Sequence, residues 1–95
     1  MKDIFDVVLS KRALKDVKSV PTHIVIKLQA WIEMVGTCGL NSISEVPGYR
    51  NEALQGKRKG QYSIRLNKAY RAIYKIDRLN NIQLIEIMRV TKHEY

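Results

Sequence analysis

The sequence predicts an α+β domain, in which two N-terminal helices pack on a twisted, mostly antiparallel four-stranded sheet in the order β-α-α-β-β-β. The apolar periodicity of residues 11–35 is close to 3.6, which indicates amphipathic helices, and from residue 62 it changes to the alternation of a sheet. Only two prolines and five glycines interrupt the 95 residues, and this length suits a single domain spanning residues 1–95.

The N-terminal half contains the predicted helices. Residues 4–9 are rich in β-branched and aromatic side chains and predict the first strand. Ser10 is a suitable N-cap for a first helix over residues 11–18. A second helix is predicted over residues 21–35, ending at Gly36. Its apolar stripe consists of Ile24, Leu28, Trp31 and Val35.

The C-terminal half reads as strands joined by short turns. Residues 62–66 and 70–76 alternate between apolar and polar side chains, and Asn67-Lys68 between them predicts a hairpin turn. A second turn is predicted at residues 77–81. Residues 82–90 are apolar on most of both sides, which predicts a strand with neighbours on each side.

The positive charge is concentrated in the predicted hairpin. Residues 50–78 contain nine Lys or Arg and two acidic residues, a net charge of +7 out of +8 for the chain. A basic sheet surface on a small domain favours nucleic-acid binding. Two alternatives stay open from charge alone: a solvated basic face, or a docking surface for an acidic protein.

The composition indicates a cytoplasmic protein without membrane association. Cys38 is the single cysteine, so no internal disulfide forms, and this suits a reducing compartment. No apolar run approaches the roughly 20 residues of a membrane span. The N-terminus lacks the apolar stretch and cleavage site of a secretory signal.

The sheet face opposite the helices is predicted to carry the polar side chains. Alternation places Ser63, Arg65, Arg71 and Lys75 on this face. If alternation holds, the last strand adds Arg89, and the residues beyond its end add Thr91, His93 and Tyr95. Glu52 comes from the segment before the hairpin, so one carboxylate joins this basic set.

This set of residues suits metal-free cleavage of RNA, because RNA carries its own nucleophile, the 2′-hydroxyl. A carboxylate can remove its proton, arginine can stabilise the phosphate charge, and His or Tyr can protonate the leaving oxygen. The sequence lacks a carboxylate pair for magnesium and zinc-ligand spacing of His and Cys. An ion pair between Arg71 and Glu52, and a solvated terminus at His93 and Tyr95, are the structural alternatives.

Four segments resemble the RelE/HigB-type toxins of bacterial type II toxin–antitoxin systems. Residues 51–66 contain the "Leu-x-Gly" and "Gly-x-aromatic-Ser-x-Arg" patterns of that family, and residues 69–74 contain its "aromatic-Arg-x-x-aromatic" pattern. Residues 89–95 resemble its C-terminus, where a strand continues into a short basic tail with His and Tyr. Residues 7–15 resemble its opening strand and helix.

The resemblance implies a microbial-RNase-like RelE fold and an mRNA interferase, a metal-independent endoribonuclease that cuts messenger RNA, mostly on the ribosome, and so inhibits translation. By position, Glu52 matches the general base of the YoeB branch, and Arg71 matches the phosphate-stabilising arginine. Arg65 is a second clamp, and His93 and Tyr95 match the terminal acid and base-stacking pair. Phosphate contacts are expected from Lys57, Arg58, Lys59, Lys75, Arg89 and Lys92.

The resemblance also implies a cognate antitoxin and no cofactor. An acidic or partly disordered antitoxin segment would cover the basic face, and DNA would be bound only through the antitoxin complex. Two other functions stay open: a ParE-type toxin that acts on DNA gyrase without RNase activity, and a non-catalytic RNA-binding module.

Overall fold

A computed structural model describes residues 4–92, which form three helices and one five-stranded mixed sheet. The strands are β1 (Ile4–Leu9), β2 (Glu52–Ala53), β3 (Gln61–Arg65), β4 (Tyr70–Leu79) and β5 (Ile82–Lys92). Their order across the sheet is β1-β5-β4-β3-β2, and only β1 and β5 pair in parallel. The α+β prediction is confirmed, with β2 as a strand beyond the four predicted. The last strand has a neighbour on each side, as predicted.

The helices are α1 (Lys11–Val17), α2 (Thr22–Cys38) and α3 (Leu40–Ser44). Ser10 is the N-cap of α1, since its Oγ accepts a 3.1 Å hydrogen bond from the Ala13 N–H. One-turn 3₁₀ helices follow at Pro47–Tyr49 and Gly56–Arg58. Besides the two predicted long helices, α3 lies where the sequence allows one turn of helix near Asn41–Glu45.

The predicted end of the second helix at Gly36 is wrong. The helix continues to Cys38 and ends at Gly39, which has φ +86° and ψ 155°, a conformation available almost only to glycine. A Cβ at Gly39 would lie 3.1 Å from Cε2 of Phe5, whereas one at Gly36 would meet nothing within 4 Å. Gly36 therefore sits in an ordinary helical turn, and the close approach of Phe5 requires the glycine three residues later.

The two turns between the last three strands differ from each other. At the Asn67-Lys68 turn, the Asn67 side-chain oxygen accepts hydrogen bonds from the N–H groups of Ala69 (2.7 Å) and Tyr70 (2.8 Å). The predicted turn at residues 77–81 is shorter than expected, because β4 continues to Leu79 and pairs there with Ile82. Asn80 takes the left-handed conformation (φ 54°) that this tight connection needs.

The core lies between α2 and the sheet. All four members of the predicted stripe of α2 are buried. The ring of Trp31 lies 5.2 Å from that of Tyr74 on β4, and Tyr74 in turn stacks on Tyr62 of β3 at 5.4 Å. This aromatic cluster fixes the helix over the centre of the hairpin.

A β-bulge interrupts the alternation of β5. Tyr74 pairs with Ile87 and the preceding Ile73 pairs with Arg89, so Met88 is an extra residue on β5. Because of the bulge, Val90 is buried like Ile87, and Arg89 lies on the opposite face. The unbroken alternation assumed from the sequence is therefore wrong, although Arg89 and Thr91 still share the register rows of the polar face.

Within residues 4–92, no helix combines the length and the apolar character that crossing a membrane requires.

Substitution by alanine should have opposite effects on stability at Gly36, inside α2, and at Gly39, which ends this helix. We expect Gly36→Ala to raise the free energy of unfolding by about 0.5–1 kcal/mol, because alanine restricts the unfolded chain and fits the helix. Gly39→Ala should lower it by about 2 kcal/mol, since alanine is strained at this φ and ψ and crowds Phe5. Urea denaturation of both variants tests this, and shifts of the same sign would contradict the helix end described above.

Candidate active site

The strand register brings the predicted catalytic residues of the hairpin together on the face away from the core. Arg65 of β3 lies opposite Arg71 of β4, and Arg71 lies opposite Thr91 of β5. In the neighbouring row, Glu52 of β2 lies opposite Ser63 of β3. Four strands thus place a carboxylate, two guanidinium groups and two hydroxyls in adjacent rows.

A buried serine fixes the guanidinium group of Arg71. Arg71 Nη1 donates a 2.9 Å hydrogen bond to Ser63 Oγ, and Ser63 is only 1% exposed. The same Nη1 lies 3.5 Å from Glu52 Oε2, and the Glu52 side chain is 52% exposed. A long contact to an exposed carboxylate is weak, so an incoming phosphate can compete for Arg71 while Ser63 keeps the guanidinium in place.

The core positions Glu52 through the residue before it. The buried hydroxyl of Tyr74 donates a hydrogen bond to the side-chain oxygen of Asn51. Burial raises the pKa of Tyr74, so its hydroxyl stays protonated as a donor. Arg50 takes a left-handed conformation (φ 44°) after the turn at Pro47–Tyr49, which directs the chain into β2. The short strand is therefore anchored to the aromatic cluster.

A shallow cavity lies over the cluster. It is lined by Leu54, Arg58, Ser63, Arg71, Ile73, Thr91 and Lys92. Three of these side chains are cationic, and two are aliphatic, so the cavity offers both charge and an apolar surface. Such a surface can hold a phosphate beside a base or a sugar.

The other predicted residues are more dispersed. Lys57 and Lys59 are exposed around the turn at Gly56–Arg58. The Nζ of Lys75 lies 3.4 Å from Glu86 Oε1, outside the cavity. His93 and Tyr95 lie outside the described residues, so their role stays a prediction.

Helix α1 holds the bulge of β5 in place. Asp16 Oδ2 accepts hydrogen bonds from Arg89 Nε (2.8 Å) and from the Val90 N–H (2.9 Å). At the other end of α1, Ser10 Oγ donates to the Met88 carbonyl oxygen at 2.9 Å. Strand β1 pairs with β5 only as far as Ile87, so α1 supplies partners to the β5 backbone beyond it.

The charge of Asp16 is stabilised by these contacts. Burial by itself disfavours its ionised form, but hydrogen bonds from Arg89 and Val90, together with the charges of Arg89 and Arg12, outweigh that effect. The pKa of Asp16 is therefore lowered from its ordinary value of 3.8. The hydrogen bond to Asp16 correspondingly raises the pKa of Arg89.

Sequence reasoning missed two basic residues on this face. Lys11 and Arg12 line a second cavity together with Arg58 and Arg89. The available signal was their place in the first turn of α1, where the helix dipole favours acids and no acid is present. Cations at such a position point to a requirement other than helix stability.

The comparison with family models assigns the chain. Residues 10–88 match the model described as the RelE-like toxin of the type II toxin–antitoxin system HigB. The chain belongs to this family. The match includes Glu52, Ser63, Arg65 and Arg71 as well as the residues of α1. No curated protein matched the chain in sequence.

Solved toxin structures share the fold of this HigB-like chain. YafQ from E. coli strain BL21(DE3) superimposes with a TM-score of 0.73 at 21% identity, covering 93% of this chain and 92% of that one. YoeB from Staphylococcus aureus, solved as a dimer, gives 0.68 at 22%, covering 96% and 98%. The E. coli DinJ–YafQ toxin–antitoxin complex gives 0.71 at 23%, covering 93% and 91%.

The contribution of Asp16 to stability should depend on pH. Its pKa is lower in the folded state, so its stabilisation is present above the ordinary value of 3.8 and is lost as pH falls through the folded-state pKa. We expect Asp16→Asn to lower the free energy of unfolding by about 2 kcal/mol at neutral pH. The deficit should shrink as the solution is acidified.

The measurement is urea unfolding of both proteins across this acidic range. Asp77→Asn, which removes an exposed carboxylate from β4, is the matched control and should follow the native protein closely. A deficit for Asp16→Asn that stays constant with pH would contradict the role assigned to the carboxylate charge.

Proposed function

We propose that this toxin is a metal-independent endoribonuclease that cleaves messenger RNA and thereby inhibits translation. The observation that carries the proposal is the arrangement of Arg71, held by buried Ser63 and lying beside exposed Glu52. A guanidinium fixed on one side and open to an exchangeable anion on the other suits the binding of a phosphate whose charge increases in the transition state.

In the proposed reaction, Glu52 takes the proton of the ribose 2′-hydroxyl, and the 2′-oxygen attacks the adjacent phosphorus. Arg71, with Arg65 opposite it, stabilises the added negative charge on the phosphate oxygens. The bond from phosphorus to the 5′-oxygen breaks, and His93 or Tyr95 donates a proton to that oxygen. The products are a 2′,3′-cyclic phosphate and a free 5′-hydroxyl, and no cofactor takes part.

The simpler alternative is that Arg71 and Glu52 form only a surface ion pair. The hydrogen bond to Ser63 argues against it, since a surface pair does not require a buried serine hydroxyl beneath the guanidinium. The cavity over the pair, with Arg58 and Lys92 on its walls, gives the arginine access to a ligand.

The positive charge beyond that needed for catalysis supports a reaction that takes place on the ribosome. The segment 50–78 carries a net charge of +7, whereas the proposed chemistry uses few of its cations. Exposed Lys57 and Lys59 lie outside the cavity and are available to ribosomal or messenger phosphates. We therefore propose that the toxin acts on translating ribosomes in the cytoplasm.

We also propose that a cognate antitoxin neutralises this toxin. The solved DinJ–YafQ and YoeB–YefM toxin–antitoxin complexes each contain a chain with the fold described here. An acidic antitoxin segment folding over the basic face would cover the cavity and compete for Arg71. Any DNA binding would then come from the antitoxin part of the complex.

Replacing Arg71 should abolish cleavage. In a cell-free bacterial translation reaction, the native toxin should create new messenger 5′ ends in register with the reading frame. Arg71→Ala should reduce their formation by at least roughly 100-fold, since it removes the main stabiliser of phosphate charge. Arg78→Ala removes one cation from the same strand, outside the cavity, and should cut normally.

Other outcomes would redirect the proposal. Cuts without frame preference would indicate a ribonuclease that does not require the ribosome. Intact messenger RNA at micromolar toxin would overturn the enzyme proposal. The ParE-type alternative would then be tested by inhibition of DNA supercoiling by gyrase, and the binding-module alternative by salt-sensitive binding of intact RNA.

Ser63→Ala should have a smaller effect than Arg71→Ala. Losing the hydrogen bond leaves the guanidinium present but less fixed, so we expect the cleavage rate to fall roughly tenfold, corresponding to about 1.4 kcal/mol. Rates from 5′-end mapping and melting curves of the same samples separate this effect from unfolding. A cleavage rate equal to that of the native toxin would show that Ser63 does not position Arg71.

A further inference from the structure

A second basic cavity adjoins the candidate active site on the open face of the sheet. Its polar and charged lining consists of Ser10, Lys11, Arg12, Arg58, Gln61 and Arg89. Four of these six side chains are cations. Asp16 is the carboxylate bound to this group, through Arg89, so the cavity keeps a net positive charge.

The lining offers more than positive charge. Gln61 contributes a side-chain amide, whose oxygen accepts hydrogen bonds and whose NH2 group donates them. A ribose hydroxyl or a base edge can pair with such an amide, and the neighbouring guanidinium groups suit a phosphate. Together these groups match the parts of one nucleotide.

The two cavities are adjacent, because Arg58 lines both of them. Arg89 lies opposite Ile73, two residues along β4 from Arg71, which corresponds to roughly 7 Å along the strand. That distance is about the rise of two nucleotides in a helical strand. An RNA backbone with one phosphate at Arg71 therefore reaches the second cavity within one or two nucleotides.

Contacts between helix α1 and β5 position the cations of this cavity. Asp16 fixes Arg89 through two hydrogen bonds, of 2.8 and 3.4 Å. Ser10 attaches the start of the same helix to the bulge at Met88. Lys11 and Arg12 follow directly in the first turn, so the contacts that hold α1 on β5 also place its two cations beside Arg89.

We propose that this second cavity is a nucleotide subsite that holds a phosphate of the RNA strand next to the one that is cleaved. The inference rests on the proposed ribonuclease function and extends it to substrate binding. An acidic protein segment would also meet the cations, but Arg58 places this cavity beside the Arg71 cavity, where the cleaved RNA strand is proposed to lie. The same strand then supplies the anion for the second cavity without a separate partner.

The test uses RNA that cannot be cleaved, so that binding is measured apart from catalysis. Fluorescently labelled 2′-O-methyl hexanucleotide is titrated with the native toxin and with the double variant Lys11→Ala/Arg12→Ala. We expect the double variant to bind at least roughly tenfold more weakly. The slope of log affinity against log salt should decrease by about 0.7, the contribution of one phosphate contact on a single strand.

A matched variant controls for net charge. Lys15→Ala/Lys18→Ala removes the same charge from the same helix region, but neither residue lines the cavity. Its affinity should stay within about twofold of the native toxin if long-range charge has only a minor, screened effect. A 2′-O-methyl dinucleotide competing at the Arg71 cavity should bind all these proteins equally, because it is too short to fill both cavities.

Three results would overturn the subsite. Equal losses in the two double variants would mean that only the overall field attracts RNA. If the double variant loses as much affinity for the dinucleotide as for the hexanucleotide, the second cavity does not act as a separate subsite. An equal loss of affinity for a polyglutamate peptide of the same charge would assign the cations to an acidic protein.

The RNA-binding measurement can succeed or fail separately from the cleavage assay. If the native toxin binds the hexanucleotide through Lys11 and Arg12 but cuts no messenger RNA, the ribonuclease proposal fails and the RNA subsite stands. If it cuts messenger RNA while the double variant binds normally, the subsite fails alone. Melting curves of all variants exclude loss of folding as the cause.

Discussion

The bulge at Met88 is the constraint on which the arrangement of this fold depends. It lets one strand place Ile87 and Val90 in the core, with Arg89 between them on the opposite face. Without the extra residue, unbroken alternation from Ile87 would direct Arg89 into the apolar interior, where a charge is costly. Helix α1 compensates for the lost ladder hydrogen bonds, because Ser10 and Asp16 bind the backbone on either side of Arg89.

Buried groups hold the candidate site, while the carboxylate of Glu52 stays exposed. Tyr74 belongs to the aromatic cluster between α2 and the hairpin. Its hydroxyl binds Asn51, the residue before Glu52. Ser63 performs the same task for Arg71. Because Ser63 already holds the guanidinium and the Glu52 carboxylate can be displaced, little rearrangement is needed when a phosphate binds. Charges that are fixed in advance stabilise a transition state effectively.

The sequence predicted those features that depend on nearby residues. The stripe of α2 and the turn at Asn67 follow from local spacing and local hydrogen bonding. The end of α2 could not be predicted, because the local sequence offers Gly36 and Gly39 equally as its end. The contact that Phe5 makes with Gly39 comes from a distant strand. The bulge of β5 and the second cavity depend on contacts with α1, more than 70 residues earlier in the chain. Strand β2 was missed because two residues cannot display alternation.

The position of β5 between β1 and β4 has a consequence for biosynthesis. Strand β1 has β5 as its sole sheet partner, although nearly the whole described chain separates them. During translation, β1 therefore waits unpaired, and Asp16 has no Arg89 to bind, until β5 leaves the exit tunnel. Both cavities are lined by residues of β5. A toxin built this way completes these cavities only after the ribosome that makes it has synthesised β5.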